Sequence, residues 1–310
     1  MIGKKKECVV VLVNYNGFDD TKACLESIQL VDGNLPYVVL IDNASVEAQK
    51  LESLKALYKD LFIIYSEENL GFGRANNLGI RWAQDNLDFD YLLLLNNDTL
   101  IDPKSIFYLI EPFKRDSHIA ITTSKTMYEA NRDIVWYGGG IINKLKGWPI
   151  IYDFQKPATQ EGANKAKYVG FISGCVMMFS KSSIEQLQGF DDDYFMYCED
   201  LELSLRASKL GFKLYYEPKS IIYHKVQGSS KSKVKGMKVN NPNLSFLFFH
   251  MKSNQWITMK KHLKTIHFIP FNIYFWLLFS YLMSKYLIYG RNEMIKVGWK
   301  TFLRIYKYSS

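Results

Sequence analysis

The sequence predicts a doubly wound α/β fold around a mostly parallel sheet, and three observations carry that expectation. Apolar runs of strand length alternate with segments of helical periodicity through most of the chain. One of them, Leu92–Leu95 inside Asp90–Thr99, is apolar at every position, as in a strand covered on both faces. Polar clusters rich in Asn and Asp fall where these runs stop, and in an open parallel sheet ligands bind beyond the carboxyl ends of the strands.

Taken in order, Cys8–Val13 is a β-branched strand ending in Asn14-Tyr15-Asn16-Gly17, with a helix from about Asp20. Tyr37–Ile41 is a second strand, closed by Asp42-Asn43-Ala44-Ser45, and a helical pattern covers Glu47–Tyr58. Leu61–Tyr65 is a third strand, followed by Asn69-Leu70-Gly71-Phe72-Gly73-Arg74 and a helix over Ala75–Ala83. The glycine pair is a weak dinucleotide signal, because that fingerprint belongs after the first strand. The Leu92–Leu95 strand then ends in Asn96-Asn97-Asp98, and Pro103 opens a helical pattern to Arg115. Ile119–Thr123 is a further strand, Ile134–Tyr152 an irregular hairpin, and Tyr168–Phe179 an apolar stretch before a helix from Lys181. Leu201, Leu205 and Leu210 lie at helical spacing with Gly211 as the stop, and Phe212–Tyr216 and Ser220–Tyr223 are two short strands leading to His224.

Two acidic clusters invite chemistry. Asp98 sits at a strand end, where a carboxylate either caps the next helix or holds a hard cation with the phosphates of a substrate. Asp191–Tyr197 followed by Glu199-Asp200 packs acids and aromatics together, with Asp200 in a first helical turn. That position either decorates the turn or supplies a base.

The net charge of +8 is unevenly placed. From Lys209 onward there are 18 Lys+Arg against 2 Asp+Glu, so a basic back follows an acidic front. An anionic partner near the back half is expected: headgroups, a phosphate-bearing substrate or nucleic acid. No nucleic-acid recognition motif accompanies the charge, so that class is set aside. Cys8, Cys24, Cys175 and Cys198 lack metal-ligand spacing and read as reduced thiols of a cytosolic protein without a signal peptide. Lys225–Asn243, carrying Gly228-Ser229-Ser230 and then Lys231, Lys233, Lys235 and Lys238, reads as a tether or a loop closing over a diphosphate. Beyond it, Leu244–Leu263 reads as a helix, and Phe268–Met283 is an aromatic-rich apolar run between basic residues. It suits a helix lying at headgroup level. A core helix, a homodimer contact through the C-terminal helices and a true span are the alternatives.

In their order along the chain, these clusters resemble the family 2 glycosyltransferases of the GT-A fold, especially bacterial members that build rhamnan, O-antigen or capsule. The resemblance covers roughly residues 9–230. It implies a GT-A catalytic domain over 1–240, with a nucleotide-sugar half to about 125 and an acceptor half from 126, and a C-terminal helical extension over 241–310, a basic-aromatic, membrane-associating tail. It implies that Asp42 contacts the base, that Asn14, Tyr15, Asn16 and Asn97 flank the nucleoside, and that Asn69, Gly73 and Arg74 lie near the donor, Arg74 as a phosphate contact. Asp98 matches the retained carboxylate of the family's Asp-x-Asp metal motif, with His224 completing a site for Mn²⁺ or Mg²⁺. Asn96 stands where the family carries the first acid, so modest metal affinity is expected. Asp200 matches the catalytic base, and Asp191, Asp192, Tyr194, Tyr197 and Glu199 would line the acceptor side, with Trp136 and Trp148 as further aromatics. The implied activity is inverting transfer of a sugar from a nucleotide diphosphate sugar, deoxythymidine diphosphate-rhamnose or a uridine diphosphate hexose, to a glycan or polyprenyl-pyrophosphate-linked acceptor. The implied location is the inner face of the cell membrane. A nucleotidyltransferase would share the sheet and the metal but wants basic residues in the first loop, which Asn14–Gly17 lacks. A non-catalytic nucleotide-sugar-binding subunit is favoured only by Asn96.

Overall fold

The computed structural model describes residues 2–226 and 243–309. Four parallel strands form the first part of one sheet: β1 (Lys6–Asn14), β2 (Tyr37–Asp42), β3 (Leu61–Tyr65) and β4 (Phe89–Asn96), side by side in the order β3-β2-β1-β4. β11 (Val176–Ser180) enters antiparallel between β4 and β6 (Ile119–Tyr128), and β12 (Lys213–His224) runs parallel to β6. β10 (Lys167–Val169) closes that edge, while β5 (Thr99–Ile101) pairs with β12 and β7 (Asn131–Tyr137) with β6. β8 (Gly140–Asn143) and β9 (Trp148–Ile151) make a separate hairpin.

Alternation within the central strands explains their unbroken apolar runs. Cys8, Val10, Leu12, Leu93 and Leu95 face one layer of helices, α1 (Phe18–Ile28) and α3 (Ser105–Arg115). Val9, Val11, Leu92 and Leu94 face the other, formed by α2 (Gly71–Asn86), α4 (Lys181–Leu187) and α5 (Glu199–Lys209). A doubly covered strand has no solvent face to signal by polarity.

Several boundaries move. The pattern over Glu47–Tyr58 is a 3₁₀ run, Ala48–Ala56. The helix expected over Ala75–Ala83 runs over the whole of α2, because Gly71 enters it with a left-handed φ of +76°. Pro103 lies in the turn just before α3, which begins at Ser105, and a short strand not read from the sequence, β5, comes between the end of β4 and that turn and pairs with β12. The two short strands before His224 are one strand with a register shift between Glu217 and Ile221.

The C-terminal region forms three helices: α6 (Leu244–His262), α7 (Thr265–Ile288) and α8 (Asn292–Ser309). They bear out the expected helical extension; the third has no boundaries of its own in the sequence pattern, because its buried positions, Met294, Gly298, Thr301 and Ile305, are small or apolar residues scattered among lysines. Phe271, Phe275 and Phe279 of α7 and Trp256 and Met259 of α6 share one apolar cluster with Tyr137, Phe171, Tyr194 and Leu201. The expected boundary at 240/241 is thus crossed by a common core. The glycine-serine and lysine loop proposed to close over a diphosphate falls at 227–242, outside the described residues.

Candidate active site

The sheet's geometry gathers the polar strand ends at one edge. Asn14 pairs in register with Asp42, and Val13 with Asn96, so β1, β2 and β4 finish together. β11 runs the other way, with Val176 opposite Leu95, so Gly174 and Cys175 start where β4 stops. β12 ends with His224 opposite Thr99, which delivers the imidazole to Asp98. A cleft of about 350 Å³ opens along this edge. Tyr15, Asn16, Asn69, Asn97 and Asp98 line it, as do Asp20, Asn43, Phe72, Asn76 and Asn96. A smaller cavity of about 210 Å³, reached by Asn14, Asn16, Ser45 and Val46, lies between the first two strand-end loops.

The buried amides build the cleft and are largely consumed in doing so. Asn14 Oδ1 accepts from the Gly17 N–H at 3.1 Å and the Thr21 hydroxyl at 3.0 Å, while its Nδ2 donates to Asp42 Oδ1 and Ser45 Oγ, both at 3.0 Å. Asn97 Nδ2 donates to Thr21 Oγ1 at 2.8 Å. Asn43 braces the next loop, donating to Asn69 Oδ1 at 3.0 Å and accepting from the Leu70 N–H at 2.8 Å. Asp42 is 1% exposed, and its second oxygen accepts from the Ser45 N–H at 3.0 Å. It holds the loop around the small cavity and does not line the cleft.

Arg74 and Gly73 depart from expectation. Arg74 is outside the cleft, and its Nε donates to the Asp192 carbonyl at 2.6 Å. Three residues along α2 from the Gly71 turn, it projects toward the acidic cluster rather than the diphosphate position. Gly73 packs on Phe190, where an added Cβ would lie 3.1 Å from that side chain. Gly71 is the glycine that matters: a Cβ there would sit 1.9 Å from the Phe195 carbonyl oxygen. The Phe72 N–H donates to that oxygen at 3.0 Å, stitching the donor-side loop to the segment before Asp200.

Asp98 lies 3.1 Å from His224 Nε2, and its own carbonyl accepts from the Lys225 N–H at 2.9 Å. Lys225 Nζ reaches Asp20 at 2.7 Å, so a cation also stands beside the cleft. Burial alone would lower the His224 imidazole; the Cys175 sulfur and the Asp98 carboxylate outweigh it and raise it to about 10. Among the described residues no three His, Cys, Asp or Glu converge as a metal cluster. The donor set is a carboxylate on the cleft wall and a buried imidazole behind it, which would give up its proton on binding a cation. It fits a divalent ion completed by phosphate oxygens and water, not a closed all-protein site.

Asp200 stands in a second cavity of about 270 Å³ with Trp148, Pro149, Phe171, Tyr197 and Glu199. Its Oδ2 accepts from the Gly174 N–H at 3.1 Å and its Oδ1 from the Leu201 N–H at 2.8 Å. Gly174 lines the first cleft, so its N–H ties the carboxylate of the second cavity to the wall of the first. A Cβ on Gly174 would lie 3.1 Å from the Phe72 ring and 3.7 Å from Asp200 Cβ. Burial pushes the Asp200 carboxyl up, against the lowering pull of the two N–H groups. Burial and then the Asp200 charge push Glu199 up, and Glu199 Oε2 has no hydrogen-bond partner.

Of the residues expected to face an acceptor, Tyr197, Glu199 and Trp148 line this second cavity. Asp191, Asp192 and Tyr194 do not. Asp191 pairs with Lys261 at 2.6 Å, Asp192 accepts from Asn77 Nδ2 at 2.9 Å, and the Tyr194 hydroxyl, 1% exposed as a residue, meets Thr258 at 2.9 Å. These groups fasten α6 and α2 to the loop before α5, because partners for them arrive from distant parts of the chain. Trp136 packs edge-on against His224, with ring centroids 4.6 Å apart. Sequence reasoning passed over Asp20, Asn76, Gly174 and Lys225. The first two sat inside helix patterns, and only the antiparallel entry of β11 brings Gly174 to the edge.

A mixed, mostly parallel sheet with a cleft at its carboxyl edge and a second cavity beside it is the arrangement expected of a GT-A fold. The comparison with solved structures agrees. The chain superposes on GalNAc-T7, solved with UDP, GalNAc and Mn²⁺, with a TM-score of 0.58 and 18% identity over 78% of this chain and 47% of that one. It superposes on the mannosyltransferase PcManGT of Pyrobaculum calidifontis, solved with GDP-Man and Mn²⁺, with a TM-score of 0.56 and 13% identity over 96% and 74%. The sequence model of Glycosyl transferase family 2 matches residues 9–188, more than half the chain, and the protein belongs to that family. It is 26% identical to the poly-beta-1,6-N-acetyl-D-glucosamine synthase of Staphylococcus aureus (strain MSSA476) over 67% of this chain. It spans only 47% of that synthase. It is 25% identical to the rhamnosyltransferase WbbL of Escherichia coli (strain K12) over 72% of this chain and 85% of that protein. The family match stops before Asp200 and His224, so their roles rest on geometry.

Proposed function

We propose that the protein transfers a sugar from a nucleotide diphosphate sugar to a hydroxyl of a glycan acceptor, with inversion, in polysaccharide synthesis. The carrying observation is that Gly174, on the wall of the cleft that holds Asp98, donates its N–H to Asp200 in the neighbouring cavity. The nucleoside lies along the Tyr15–Asn16 side, with Asp42 and Asn14 holding the loops that receive it, and the diphosphate points to Asp98. When bound, a divalent ion held by Asp98 and His224 offsets the charge of the departing diphosphate. The acceptor sugar sits against Trp148 and Tyr197 with its hydroxyl at Asp200. As the acceptor oxygen bonds to the anomeric carbon and the sugar–phosphate bond breaks, Asp200 takes the hydroxyl proton. Attack from the face opposite the leaving group inverts that carbon. A carboxyl pushed up by burial is a stronger base than an exposed one once ionised. Deoxythymidine diphosphate-rhamnose and uridine diphosphate hexoses are the donors considered, in keeping with the named activities of the two sequence relatives.

The same reading places the enzyme at the inner face of the cell membrane with a lipid-linked acceptor. Its support is α7, the one helix among the described residues long and apolar enough to cross a membrane. One stripe of it is buried and the other is not: Ile266, Ile269, Ile273 and Leu277 are 53–75% exposed. Because Phe271, Phe275 and Phe279 are committed to the core, the helix lies flat on a lipid surface rather than across it. Titration calorimetry with uridine and deoxythymidine diphosphates, with and without Mn²⁺, tests the donor side. Metal-dependent binding of one of them is expected, and binding of neither removes the reading.

A further inference from the structure

We infer that Asn254, on α6 and far along the chain from the family motifs, is a positioning residue for the catalytic carboxylate. The inference rests on the reading of Asp200 as base and adds what sets it in place.

The segment entering α5 is held in an unusual shape. Tyr197 and Cys198 are consecutive left-handed residues, with φ of +67° and +70°. Neither is a glycine, and each such residue costs on the order of 1–2 kcal/mol. The next two residues are Glu199 and Asp200. No side chain caps the helix at Cys198, so nothing local secures the turn. Asn254 is fully buried, and its Nδ2 donates to the carbonyls of both Met196 and Tyr197, each at 2.9 Å. One amide group thereby fixes the two peptide planes on either side of Tyr197, the first residue of the left-handed pair. Met196 lines the first cleft and Tyr197 the second cavity, so the pinned segment is the partition between them.

Asn254 Oδ1 has no partner, which marks the side chain as placed for its donors. Leucine fills the same space without them. With the donors gone, the two carbonyls are orphaned and the left-handed pair is free to relax, turning α5 and swinging Asp200 away from the Gly174 N–H. Asn254 itself lines neither cavity.

The test is steady-state glycosyl transfer by full-length wild type, Asn254→Leu, Asn254→Ser and Asp200→Asn, with nucleotide diphosphate titration as the check that each is folded. For both Asn254 variants kcat is expected to fall on the order of 100-fold, as a displacement of about 1 Å at a reacting group does, with donor KM within about twofold of wild type. A folded Asn254→Leu or Asn254→Ser protein with wild-type kcat overturns the inference. So does a rise in donor KM at unchanged kcat, which would assign Asn254 to the donor cleft through Met196. Serine, small and polar, keeps the question answerable if leucine prevents folding. If Asp200→Asn retains turnover, the base assignment falls instead, whatever the Asn254 variants do.

Discussion

The two sides of the site are built by different means. The cleft proposed for the donor is assembled mainly from strand-end loops within the first hundred residues, and its amides bond to neighbouring loops of the same sheet edge. The acceptor side is assembled from the approach to α5 and from helices that follow 45 residues or more later in the chain: Asp191 on Lys261, Tyr194 on Thr258, Tyr197 on Asn254. A polar cluster at the end of a parallel strand finds its structural partners in the neighbouring strand ends, so it stays at the edge where ligands bind. One that precedes a helix in the last layer of the fold can be claimed by whatever packs on it. The same residue types therefore mean different things on the two sides.

The largest effect expected from this division is at Asp200. Asp200→Asn keeps the shape and the N–H contact of the Gly174 turn but removes the base, so transfer should fall by about 10²–10⁴ with nucleotide binding unchanged. Unchanged turnover removes the assignment. The pH dependence follows from the raised carboxyl. The base acts when ionised, so transfer should be lost as pH falls, over a range above that of an exposed aspartate. Stability runs the other way: a group that holds its proton more tightly folded than unfolded makes folding less favourable as pH rises past its unfolded value. Glu199, also raised by burial, adds to that slope, and Glu199→Gln should raise the melting temperature at pH 8 while leaving it unchanged near pH 4.

Next in size is Asp98→Ala. If the cleft holds a cation through Asp98 and His224, this substitution should weaken Mn²⁺-dependent nucleotide diphosphate binding by about tenfold or more and leave metal-free binding as it was. Equal loss in both conditions would make Asp98 an ordinary cleft residue, erasing the contrast between a chemically committed donor side and a structurally committed acceptor loop.

The sheet, its mostly parallel direction and the carboxyl-edge cluster were legible because period and strand-end chemistry are local. Asn16, Asn69, Asn97 and Asp98 reach the cleft as expected. Asp191, Asp192 and Tyr194 misled, because nothing near them in sequence announces Lys261, Asn77 or Thr258 as their partners. Asn254 was invisible for the same reason: an Asn in a polar stretch of α6 carries no sign that the turn before α5 will come to it. Gly174 was noticed only as part of an apolar stretch, since a glycine needed for close approach has no local signature when its φ is ordinary.

The tail gives a mid-sized test. Ile273→Ser combined with Leu277→Ser alters residues 57% and 68% exposed, so the fold should stand while cosedimentation with anionic vesicles falls by about tenfold or more. Truncation before Phe268 is a different experiment: it strips Phe271, Phe275 and Phe279 from the core shared with Tyr194 and Leu201 and should unfold the acceptor side. Vesicle binding unaffected by the paired serine substitutions would leave α7 without a lipid-facing role.

The smallest expected effect is the most discriminating about how motifs carry meaning. Arg74 follows the Gly71-Phe72-Gly73 turn, where the family resemblance implies a phosphate contact. In the structure its guanidinium lies outside the cleft, bonded to the Asp192 carbonyl at an exposed site. A charged hydrogen bond to a bound diphosphate is worth about 1.5–3 kcal/mol, so a true phosphate contact would cost Arg74→Ala about tenfold or more in nucleotide affinity. An exposed bond to a backbone carbonyl is worth far less, with stability changes within about 0.5 kcal/mol. Calorimetry on Arg74→Ala should therefore return the wild-type affinity. A tenfold loss would mean that α2 turns its first residues inward when nucleotide binds, and that Arg74 moves from the acceptor-loop brace to the donor side.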